Sequence, residues 1–343
     1  MNALRITYED ITGQPSPKLV LTDDDAKFFS GKTVVVTGAG GSIGARIAKF
    51  LSEVPLANLL CADRDENSLH SLSLQISQAA LFQDAKYILL DIRDEMAVEN
   101  LFEVYKPDVV IHCAALKHLA VLEHYPREAF LTNVIGTNNL LKFAKKFEAK
   151  YFLNVSTDKA ANPSNILGKT KRIAELLVVG SRYEGFNEFT SVRFGNVFNS
   201  KGSVIETFTY QIQNKIDLTL TDPRMKRFFM HLDEAAALAI KSIVLNAGPV
   251  HILDMGEPIS IEYIIDRLKK FFDSDQAIVI TGKRSGEKFD EDLQNQFELS
   301  KITVEPRIRT LESILEPHFI PEGLEIKNDK DALQAIETFS KYF

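Results

Sequence analysis

The sequence predicts an α/β protein built on a doubly wound parallel sheet, with a smaller C-terminal lobe. Three observations predict this class. Near-continuous apolar strand segments alternate with amphipathic helical segments, a glycine-rich turn directly follows the first of these strands, and the alternation loosens after residue 195. Apolar strand runs are typical of strands buried on both faces, and the intervening helices then cover both faces of a parallel sheet.

The composition is compatible with this class. The chain has 343 residues, of which 45% are apolar and 25% are charged, so it can bury the core of one large domain and a smaller lobe. Its net charge is -7, and its Lys and Arg residues are spread along the chain. This distribution does not favour a nucleic-acid surface, although local arginines can bind anionic small molecules whatever the net charge.

The sequence also indicates the compartment. Cys61 and Cys113 each lie in an apolar run, where small buried thiols are common, and a reducing compartment fits them best. No apolar run approaches the roughly 18 residues of a membrane-spanning helix. The polar residues 1–10 do not contain the apolar core of a signal peptide. We therefore predict a soluble, cytoplasmic protein without a membrane span.

The first strand and the turn after it predict a dinucleotide site. Residues 1–30 show no strong periodicity and are expected to form an arm packed on the body or on another subunit, and residues 31–195 to form the dinucleotide-binding domain. Strand 32–37 runs into a turn with glycines at 38, 41 and 44, and a helix follows through about Leu51. Such glycines allow a tight turn and let the backbone approach a pyrophosphate, which the helix N-terminus attracts. The predicted cofactor contacts in this turn are Gly38, Gly41, Ser42, Ile43 and Gly44.

Polar residues at the ends of the next strands extend this prediction. Asp63 follows strand 58–62 and is placed to bind the adenosine ribose hydroxyls, or else to cap the following helix. Arg64 could hold a 2′-phosphate instead, so the cofactor is NAD or NADP, with NAD preferred. Asp91, followed by Ile92, ends the third strand and would lie near the adenine or cap the next helix. Ala114 follows strand 109–113 and is also assigned to the cofactor site.

The rest of the chain completes the alternation and then departs from it. We predict helices at 94–105, 129–147 and 169–182, and strands at 87–90, 151–155 and 189–194. Beyond these, residues 196–320 are expected to form mainly a substrate-binding lobe over the carboxyl ends of the strands. Within that range we predict a helix at 204–213, a strand at 218–220, a helix at 233–245 and a strand at 250–253, and we expect residues 225–255 to return to the main sheet. The tail, 321–343, should end in a helix from Asp329.

One stretch concentrates polar residues at the end of a buried strand. Residues 154–171 place Thr157, Asp158 and Lys159 in a row, pass through a proline-containing loop, and enter a helix that carries Lys171. Burial and mutual proximity are expected to move the pKa values of Asp158 and Lys159 toward neutrality, as an acid–base pair requires. The alternative is a salt-bridged surface loop, and the Thr157 hydroxyl could simply serve the local turn.

The glycine pattern after a strand ending in Thr resembles the extended short-chain dehydrogenase/reductase superfamily, which has a Rossmann-type fold. Together with it, five further segments resemble the polysaccharide-biosynthesis branch, which contains nucleotide-sugar 4,6-dehydratases acting on UDP-N-acetylglucosamine. These segments are 114–118, 156–171, 193–197, 227–230 and 284–288. Residues 9–14 resemble the linker that precedes this catalytic domain in long, membrane-anchored members, so we expect a free-standing version of that domain.

The resemblance implies a reaction and a set of roles. Hydride leaves sugar C4 for the nicotinamide, water is lost across C5 and C6, and the hydride returns to C6. Asp158 would protonate the C6 oxygen, Lys159 would take the C5 proton, and Thr157 would bond the C4 oxygen. Lys171 would hold the nicotinamide ribose.

Position 167 departs from the superfamily pattern. It lies one helical turn before Lys171 and therefore on the same face, where the superfamily has a catalytic tyrosine and this chain has Leu167. A well-placed acid or base contributes about 10² to 10⁴ in rate, so another group must assist the oxidation. In a sub-branch that includes the long dehydratases this position is commonly methionine, and we expect Leu167 to be a pocket wall.

The resemblance also implies the substrate side of the site. Lys117 would point toward the sugar, Asn196 would bind the diphosphate or sugar, and Arg227 and Arg284 would bind the UDP phosphates. Glu287 would anchor a uridine-side hydroxyl or orient Arg284. A solvated lysine and ordinary surface ion pairs are the alternatives. His112, His118 and His231 do not have metal-ligand spacing, so we predict no metal.

Three functions stay open at this point. The first is a UDP-N-acetylglucosamine 4,6-dehydratase with bound NAD or NADP, serving surface polysaccharide or glycan biosynthesis. The second is a UDP-sugar 4-epimerase, or a dehydratase that also inverts C5. The third is a non-catalytic protein that binds the dinucleotide or nucleotide sugar, which the missing tyrosine motivates. We expect a homo-oligomer, because relatives associate through helices.

Overall fold

The computed structural model describes residues 6–16, 21–77, 86–186, 188–284, 286–312 and 315–341. Its strands are β1 (Thr33–Thr37), β2 (Asn58–Asp63), β3 (Tyr87–Leu89), β4 (Val109–His112), β5 (Tyr151–Val155), β6 (Phe189–Arg193), β7 (Asn196–Val197), β8 (Leu218–Leu220), β9 (Lys226–Arg227), β10 (Phe229–Met230), β11 (Val250–Leu253), β12 (Ile259–Ser260), β13 (Ile278–Ile280), β14 (Ser300–Ile302) and β15 (Ile308–Leu311).

The helices cover this sheet and build the second lobe. They are α1 (Tyr8–Thr12), α2 (Asp23–Phe29), α3 (Ser42–Ser52), α4 (Glu66–Ser77), α5 (Glu95–Tyr105), α6 (Leu119–His124), α7 (Pro126–Phe130), α8 (Gly136–Lys146), α9 (Ile166–Tyr183), α10 (Val204–Gln213), α11 (Leu232–Leu245), α12 (Ile261–Phe272) and α13 (Asp329–Ser340). A π-helical segment spans Leu131–Ile135, and a 3₁₀ turn spans Asp158–Ala160.

Among the described residues, nine strands form the main sheet, in the order β14-β15-β11-β6-β5-β4-β1-β2-β3. Strands β1 to β6 and β11 run parallel to their neighbours, whereas β15 and β14 are added antiparallel at one edge. The sheet is therefore mostly parallel, as the apolar strand runs predict, and the doubly wound class is confirmed. The pairing of β11 with β6 brings the chain back to this sheet after the second lobe.

Both faces of the sheet are buried. Helices α5, α8, α9 and α13 contribute to the apolar cluster on one face, and α3, α4 and α11 contribute to the cluster on the other. Alternating side chains of β1 belong to the two clusters, with Val35 in the first and Val34 and Val36 in the second. This two-sided burial fits the apolar character of the strand.

The second lobe has its own apolar cluster, which includes part of the N-terminal arm. Helices α10 and α12 and strand β8 supply most of the cluster, and Tyr8 and Ile11 of α1 are buried in it. The Arg267 guanidinium on α12 donates to the Asp10 carbonyl at 2.7 Å. Helix α2 packs against α11 on the larger body, where Phe29 is fully buried. The arm thus contacts both parts of the chain.

The segment predicted as one helix from 129 to 147 is interrupted by the π-helical turn. Asn133 lies in that turn, and its side chain pairs with both backbone groups of Leu116, accepting from N at 2.9 Å and donating to O at 3.1 Å. The amide also donates to Thr170 Oγ1 at 3.2 Å. The irregular turn therefore fixes the loop after β4 against α9, and π-helical turns of this kind are frequent at functional sites.

Candidate active site

The glycine turn has the geometry that a pyrophosphate site requires. Gly38 has a φ of +66°, and a Cβ there would lie 2.5 Å from Ala114 N. A Cβ at Gly44 would lie 2.2 Å from Gly38 O, so side chains are excluded at both positions. Helix α3 begins at Ser42, and its free N–H groups face the space in front of the turn.

Seven of the predicted cofactor residues line one recess of about 140 Å³; they are Gly38 and Gly41 of this turn and Asp63, Arg64, Asp91, Ile92 and Ala114 beside it. Asp63 accepts from Gly40 N at 2.9 Å and from Asp65 N at 3.1 Å, so it ties β2 to the glycine turn. Asp65, not Asp63, accepts the N–H groups of the first turn of α4. The alternative that Asp63 caps that helix is therefore wrong.

Asp91 is not a helix cap either. Asp94 caps α5 by accepting from Ala97 N at 3.1 Å. The Arg93 guanidinium contacts both Asp91 oxygens, and its hydrogen bonds lower the pKa of the Asp91 carboxyl. Asp91 is therefore held as a carboxylate at the rim of the recess.

A larger cleft of about 520 Å³ lies on the other side of the glycine turn. It is lined by Gly38, Gly41, Ser42, Ile43 and Gly44 together with Lys117, Thr157, Lys159, Leu167, Lys171 and Asn196. Volumes of this order hold small ligands in other proteins. The structure therefore brings the polar strand end and the glycine turn to one cleft. Gly38 and Gly41 line both the recess and the cleft, so the two spaces adjoin at the glycine turn.

Asp158 lies behind this cleft wall and is 1% exposed. Its Oδ1 accepts from Thr157 Oγ1 at 2.8 Å and from Lys159 Nζ at 3.0 Å. Its buried Oδ2 has no hydrogen-bond partner within the described part of the chain. The Asp158 carboxylate is therefore connected to the cleft by its hydrogen bonds with Thr157 and Lys159, which line the cleft.

The pKa of Lys159 does not move in the direction that the sequence predicts. Burial lowers it, but the neighbouring carboxylates of Asp158 and Glu291 outweigh burial, so the pKa of Lys159 is raised above its usual value. Glu291 Oε1 lies 3.5 Å from Lys159 Nζ. The expectation of a shift toward neutrality for Lys159 is wrong, because the sequence did not reveal this second carboxylate.

Lys171 is the lysine whose pKa approaches neutrality. Its side chain is almost completely buried, and burial lowers its pKa to about 8, although the Glu175 carboxylate opposes part of the shift. The Lys171 amine contacts Asn154 Oδ1 at 3.5 Å. An amine in this setting exchanges a proton near physiological pH.

Leu167 is 5% exposed and lines the cleft one turn before Lys171. It belongs to the apolar cluster that α9 shares with the sheet. Its side chain supplies no hydroxyl, so the cleft has only an apolar wall at the position where the superfamily has tyrosine.

The structure does not bring three of the predicted substrate residues to the cleft. Arg227 donates to the carbonyls of Phe289 and Lys288 at 2.9 and 3.0 Å. Arg284 is exposed, and its backbone N–H donates to Glu287 Oε2 at 3.0 Å. Arg227 on β9 thus fastens the backbone of residues 288 and 289. Lys117, in contrast, lies in the cleft and donates to Lys201 O at 2.5 Å.

A buried network of charged side chains lies next to the site, and it was not predicted from the sequence. Arg193 is fully buried and pairs with Glu175 and Glu298 at 2.7 Å each, and Arg172 also contacts both carboxylates. Ser156 donates to Glu175 Oε1 at 2.6 Å, which links the network to the end of β5. An arginine inside an apolar strand signals buried acidic partners, but it does not say which ones. Glu291 carries no such signal, because it lies in an ordinary acidic run.

The described ranges offer neither a metal cluster nor a membrane-spanning helix. They contain no cluster of three or more His, Cys, Asp and Glu side chains suited to a metal ion. Helices there that are both long and apolar enough to cross a bilayer are absent. His112 is buried between Thr37 Oγ1 and Thr137 Oγ1, at 2.8 and 2.9 Å, which is a structural role.

The mostly parallel sheet, the glycine turn after its first strand and the lysine of α9 define an extended short-chain dehydrogenase/reductase. Comparison with known families agrees. Residues 34–313 match the family described as polysaccharide biosynthesis protein, and the chain belongs to that family.

Curated relatives extend across most of this chain. The probable polysaccharide biosynthesis protein EpsC of Bacillus subtilis is 37% identical over 312 residues, which cover 88% of this chain and 51% of EpsC. The chain thus spans about half the length of that relative. A UDP-glucose 4-epimerase of Rickettsia typhi is 31% identical over 280 residues, with 80% of each protein covered.

Solved structures share the fold. Pen from Bacillus thuringiensis is 33% identical with a TM-score of 0.70, covering 78% of this chain and 85% of Pen. A Thermus thermophilus UDP-glucose 4-epimerase, solved with NAD, is 19% identical with a TM-score of 0.65. The match covers 76% of this chain and 90% of the epimerase chain. The second likeness concerns the fold alone.

Proposed function

We propose that the protein is a nucleotide-sugar 4,6-dehydratase that converts UDP-N-acetylglucosamine to its 4-keto-6-deoxy product with bound NAD or NADP. One observation carries the proposal. Thr157, Lys159 and Lys171 line the cleft that the glycine turn borders, and Asp158 is hydrogen-bonded to both Thr157 and Lys159. An elimination across C5 and C6 needs an acid and a base next to the group that oxidises C4, and this cluster supplies both.

The cleft residues divide the proton transfers among them. A nicotinamide held beside the glycine turn would supply the hydride chemistry at C4 and C6. As C4 is oxidised, Thr157 bonds the C4 oxygen and passes the C4 hydroxyl proton to Asp158, to which it is hydrogen-bonded. Asp158 gives this proton to the departing C6 hydroxyl, which leaves as water. Lys159 takes the C5 proton and returns it to C5 after the hydride has reached C6. Because Asp158 is buried behind Thr157 and Lys159, its proton either passes through one of these side chains or follows a rotation of the carboxyl group.

The proposed cofactor site combines the recess with the glycine turn. Lys171 is buried at the cleft wall one helical turn after the apolar Leu167 and would hold the nicotinamide ribose. Asp63 at the recess suits ribose hydroxyls, whereas the exposed Arg64 beside it suits a 2′-phosphate. We favour NAD, since a carboxylate next to the ribose repels a 2′-phosphate. A Thermus neighbour solved with NAD has the same fold.

A 4-epimerase is the second candidate, and a specific observation favours it. The Rickettsia typhi relative, 31% identical over 80% of this chain, is named UDP-glucose 4-epimerase. An epimerase returns the hydride to C4 and has no use for an acid–base pair at C5 and C6. The Asp158–Lys159 pair is the reason that dehydration is preferred.

Mass spectrometry of the reacted sugar tests the proposal. Purified protein is incubated with UDP-N-acetylglucosamine and NAD, and the expected product is lighter by the mass of one water molecule. An isomer of unchanged mass would support the epimerase, and unchanged sugar with cofactor retained would support a non-catalytic binding protein. Either outcome contradicts the dehydratase.

The Asp158→Asn variant links that product to the site. It keeps the shape of the side chain but removes the acid, and product formation is expected to fall by about 10² or more. Asp24→Asn, a matched change at an exposed residue of α2, should leave product formation unchanged. Equal rates for the two variants would remove Asp158 from the mechanism.

A further inference from the structure

We propose that Glu291, supplied by the C-terminal lobe, is the second carboxylate of the Lys159 site and a positioning residue for the acid–base pair. Glu291 Oε1 lies 3.5 Å from Lys159 Nζ, and the Glu291 side chain is 5% exposed. Asp158 Oδ1 lies 3.0 Å from the same ammonium. Lys159 is thus held between two carboxylates, one from the strand end and one from a segment far away in the chain.

The segment that carries Glu291 is fastened to the 154–171 stretch at several points. The Gly286 carbonyl accepts from Ser164 Oγ at 2.9 Å and from Asn165 Nδ2 at 3.0 Å. Asn162 Nδ2 donates to Asp292 Oδ2 at 3.0 Å, on the other side of Glu291. These bonds hold the segment against the loop between the 3₁₀ turn and α9, so the position of Glu291 is set by docking of the lobe.

Arg227 completes the surroundings of Glu291. Its guanidinium fastens the backbone of the same segment, and Arg227 Nε lies 3.9 Å from Glu291 Oε1. The charged groups that face Lys159 are therefore the Asp158 and Glu291 carboxylates and the more distant Arg227 guanidinium. The Lys288 ammonium also attracts the Glu291 carboxylate, and it is itself paired with Asp292 at 3.2 Å.

This arrangement determines when Lys159 can act as a base. A lysine takes a proton only as the neutral amine, and each neighbouring carboxylate stabilises the ammonium instead. With both carboxylates in place, the pKa of Lys159 is raised. Docking of residues 286–292 therefore sets the pH at which Lys159 can act as a base. The catalytic meaning of this contact rests on the proposed function, whereas the contact itself does not.

Competitive acetylation tests the contact without any assay of activity. Lys159 lines the cleft with its side chain 16% exposed, so acetic anhydride can reach its neutral amine, and mass spectrometry of the modified peptide gives the extent of reaction at each pH. In Glu291→Gln the midpoint of the Lys159 profile should move to lower pH by about one unit or more, the effect of one opposite charge at this distance. An unmoved midpoint would overturn the proposal.

Two further variants control this experiment. Asp292→Asn removes the charge of the adjacent side chain but keeps an oxygen that can accept from Asn162 Nδ2, so the docking bond is retained. Because Asp292 contacts Asn162 and Lys288 rather than Lys159, this variant should leave the midpoint unchanged. If Glu291→Gln does not fold, Glu291→Asp is used, because it keeps the charge but withdraws it from the ammonium, and a smaller shift in the same direction is expected. No shift in Glu291→Asp would likewise overturn the proposal.

The pH dependence of catalysis separates this inference from the proposed function. If the protein dehydrates the sugar, the acidic limb of the rate profile should move to lower pH in Glu291→Gln, and not in Asp292→Asn. A protein that shows the acetylation shift but no dehydration would refute the proposed function and keep the contact. Dehydration together with an unmoved acetylation midpoint would support the proposed function and refute the role of Glu291.

Discussion

At the scale of single residues, the cleft contains two lysines whose environments act in opposite directions. Lys159 lies between two carboxylates, which raise its pKa despite burial. Lys171 is buried with a neutral amide as its hydrogen-bond partner, and burial lowers its pKa to about 8. The amine is therefore held as an ammonium at position 159 and titrates near neutral pH at position 171. To act as a base, Lys159 must first lose the proton that its two carboxylate neighbours retain.

Replacing Lys171 by methionine tests the cost of burying this amine. The folded-state pKa of about 8 lies below the ordinary 10.5, so the unfolded chain binds more protons between these values and stability rises with pH across that window. Below about pH 8 the full penalty is present. Lys171→Met should therefore raise the free energy of unfolding at pH 7 by up to about 3 kcal/mol, and the gain should shrink toward pH 10.

Denaturant unfolding at both pH values measures this effect. Lys169→Met, at a half-buried position on the same helix, is the control and should change stability by no more than about 0.5 kcal/mol at either pH. A loss of stability in Lys171→Met at pH 7, or a gain that does not depend on pH, would contradict the assigned environment.

At the scale of elements, the glycine turn joins β1 to α3 through positions where a side chain cannot fit. Gly38 combines a φ of +66° with a contact that would place Cβ 2.5 Å from Ala114 N. Gly31, just before β1, has a similar φ of +71°, but no described atom lies within 4 Å of its Cβ position. A side chain would therefore meet only backbone strain at Gly31, but both backbone strain and a steric clash at Gly38.

Alanine at these two positions should have different effects. Gly31→Ala carries only the strain of a left-handed residue, about 1 kcal/mol, and should keep dinucleotide binding. Gly38→Ala carries that strain and also displaces the Ala114 backbone, so it should lose more stability and bind NAD far more weakly. Thermal unfolding and NAD titration of both variants measure this difference, and equal behaviour would contradict it.

Much of the element pattern could be predicted from the sequence, because it depends on local periodicity. The parallel strands β1, β2, β4, β5, β6 and β11 and the glycine turn follow from apolar runs and from turn chemistry. The π-helical turn could not be predicted, since it depends on Asn133 meeting the backbone of Leu116. The contact of Glu291 with Lys159 and the use of Arg227 to fasten a distant backbone are likewise tertiary, and no local spacing encodes them.

At the scale of the whole molecule, the buried charge network joins the sheet, α9 and the segment before β14. Arg193 on β6 is fully buried between Glu175 on α9 and Glu298. Replacing one member leaves a buried charge without its partner, which is far more costly than losing a surface pair. The network therefore links the segment that carries Glu298 to the cleft, because Ser156, which lines the cleft, donates a hydrogen bond to Glu175.

Glu298→Gln should lower the free energy of unfolding by about 3 to 5 kcal/mol. Burial raises the pKa of Glu298, but the hydrogen bonds from Arg193 outweigh burial and lower it overall. Its contribution is thus present above the ordinary carboxyl range and is lost as the pH falls through the folded-state pKa. The variant should lose less stability than the natural protein on acidification.

An exposed pair provides the comparison for this variant. Glu312 pairs with Lys301 at 2.7 Å, with both side chains about half exposed, and Glu312→Gln should cost less than about 1 kcal/mol. Urea unfolding of both variants at neutral and acidic pH makes the measurement. Similar losses for Glu298→Gln and Glu312→Gln would show that the network does not stabilise the molecule.

The fate of the hydrogen on sugar C4 tests the dehydratase proposal most directly. UDP-N-acetylglucosamine carrying deuterium at C4 is incubated with the protein and NAD, and NMR locates the label in the product. Oxidation at C4, elimination across C5 and C6 and hydride return predict deuterium at C6 of a 4-keto product. Deuterium back on C4 of an isomerised sugar, or a label that never leaves C4, would contradict the account.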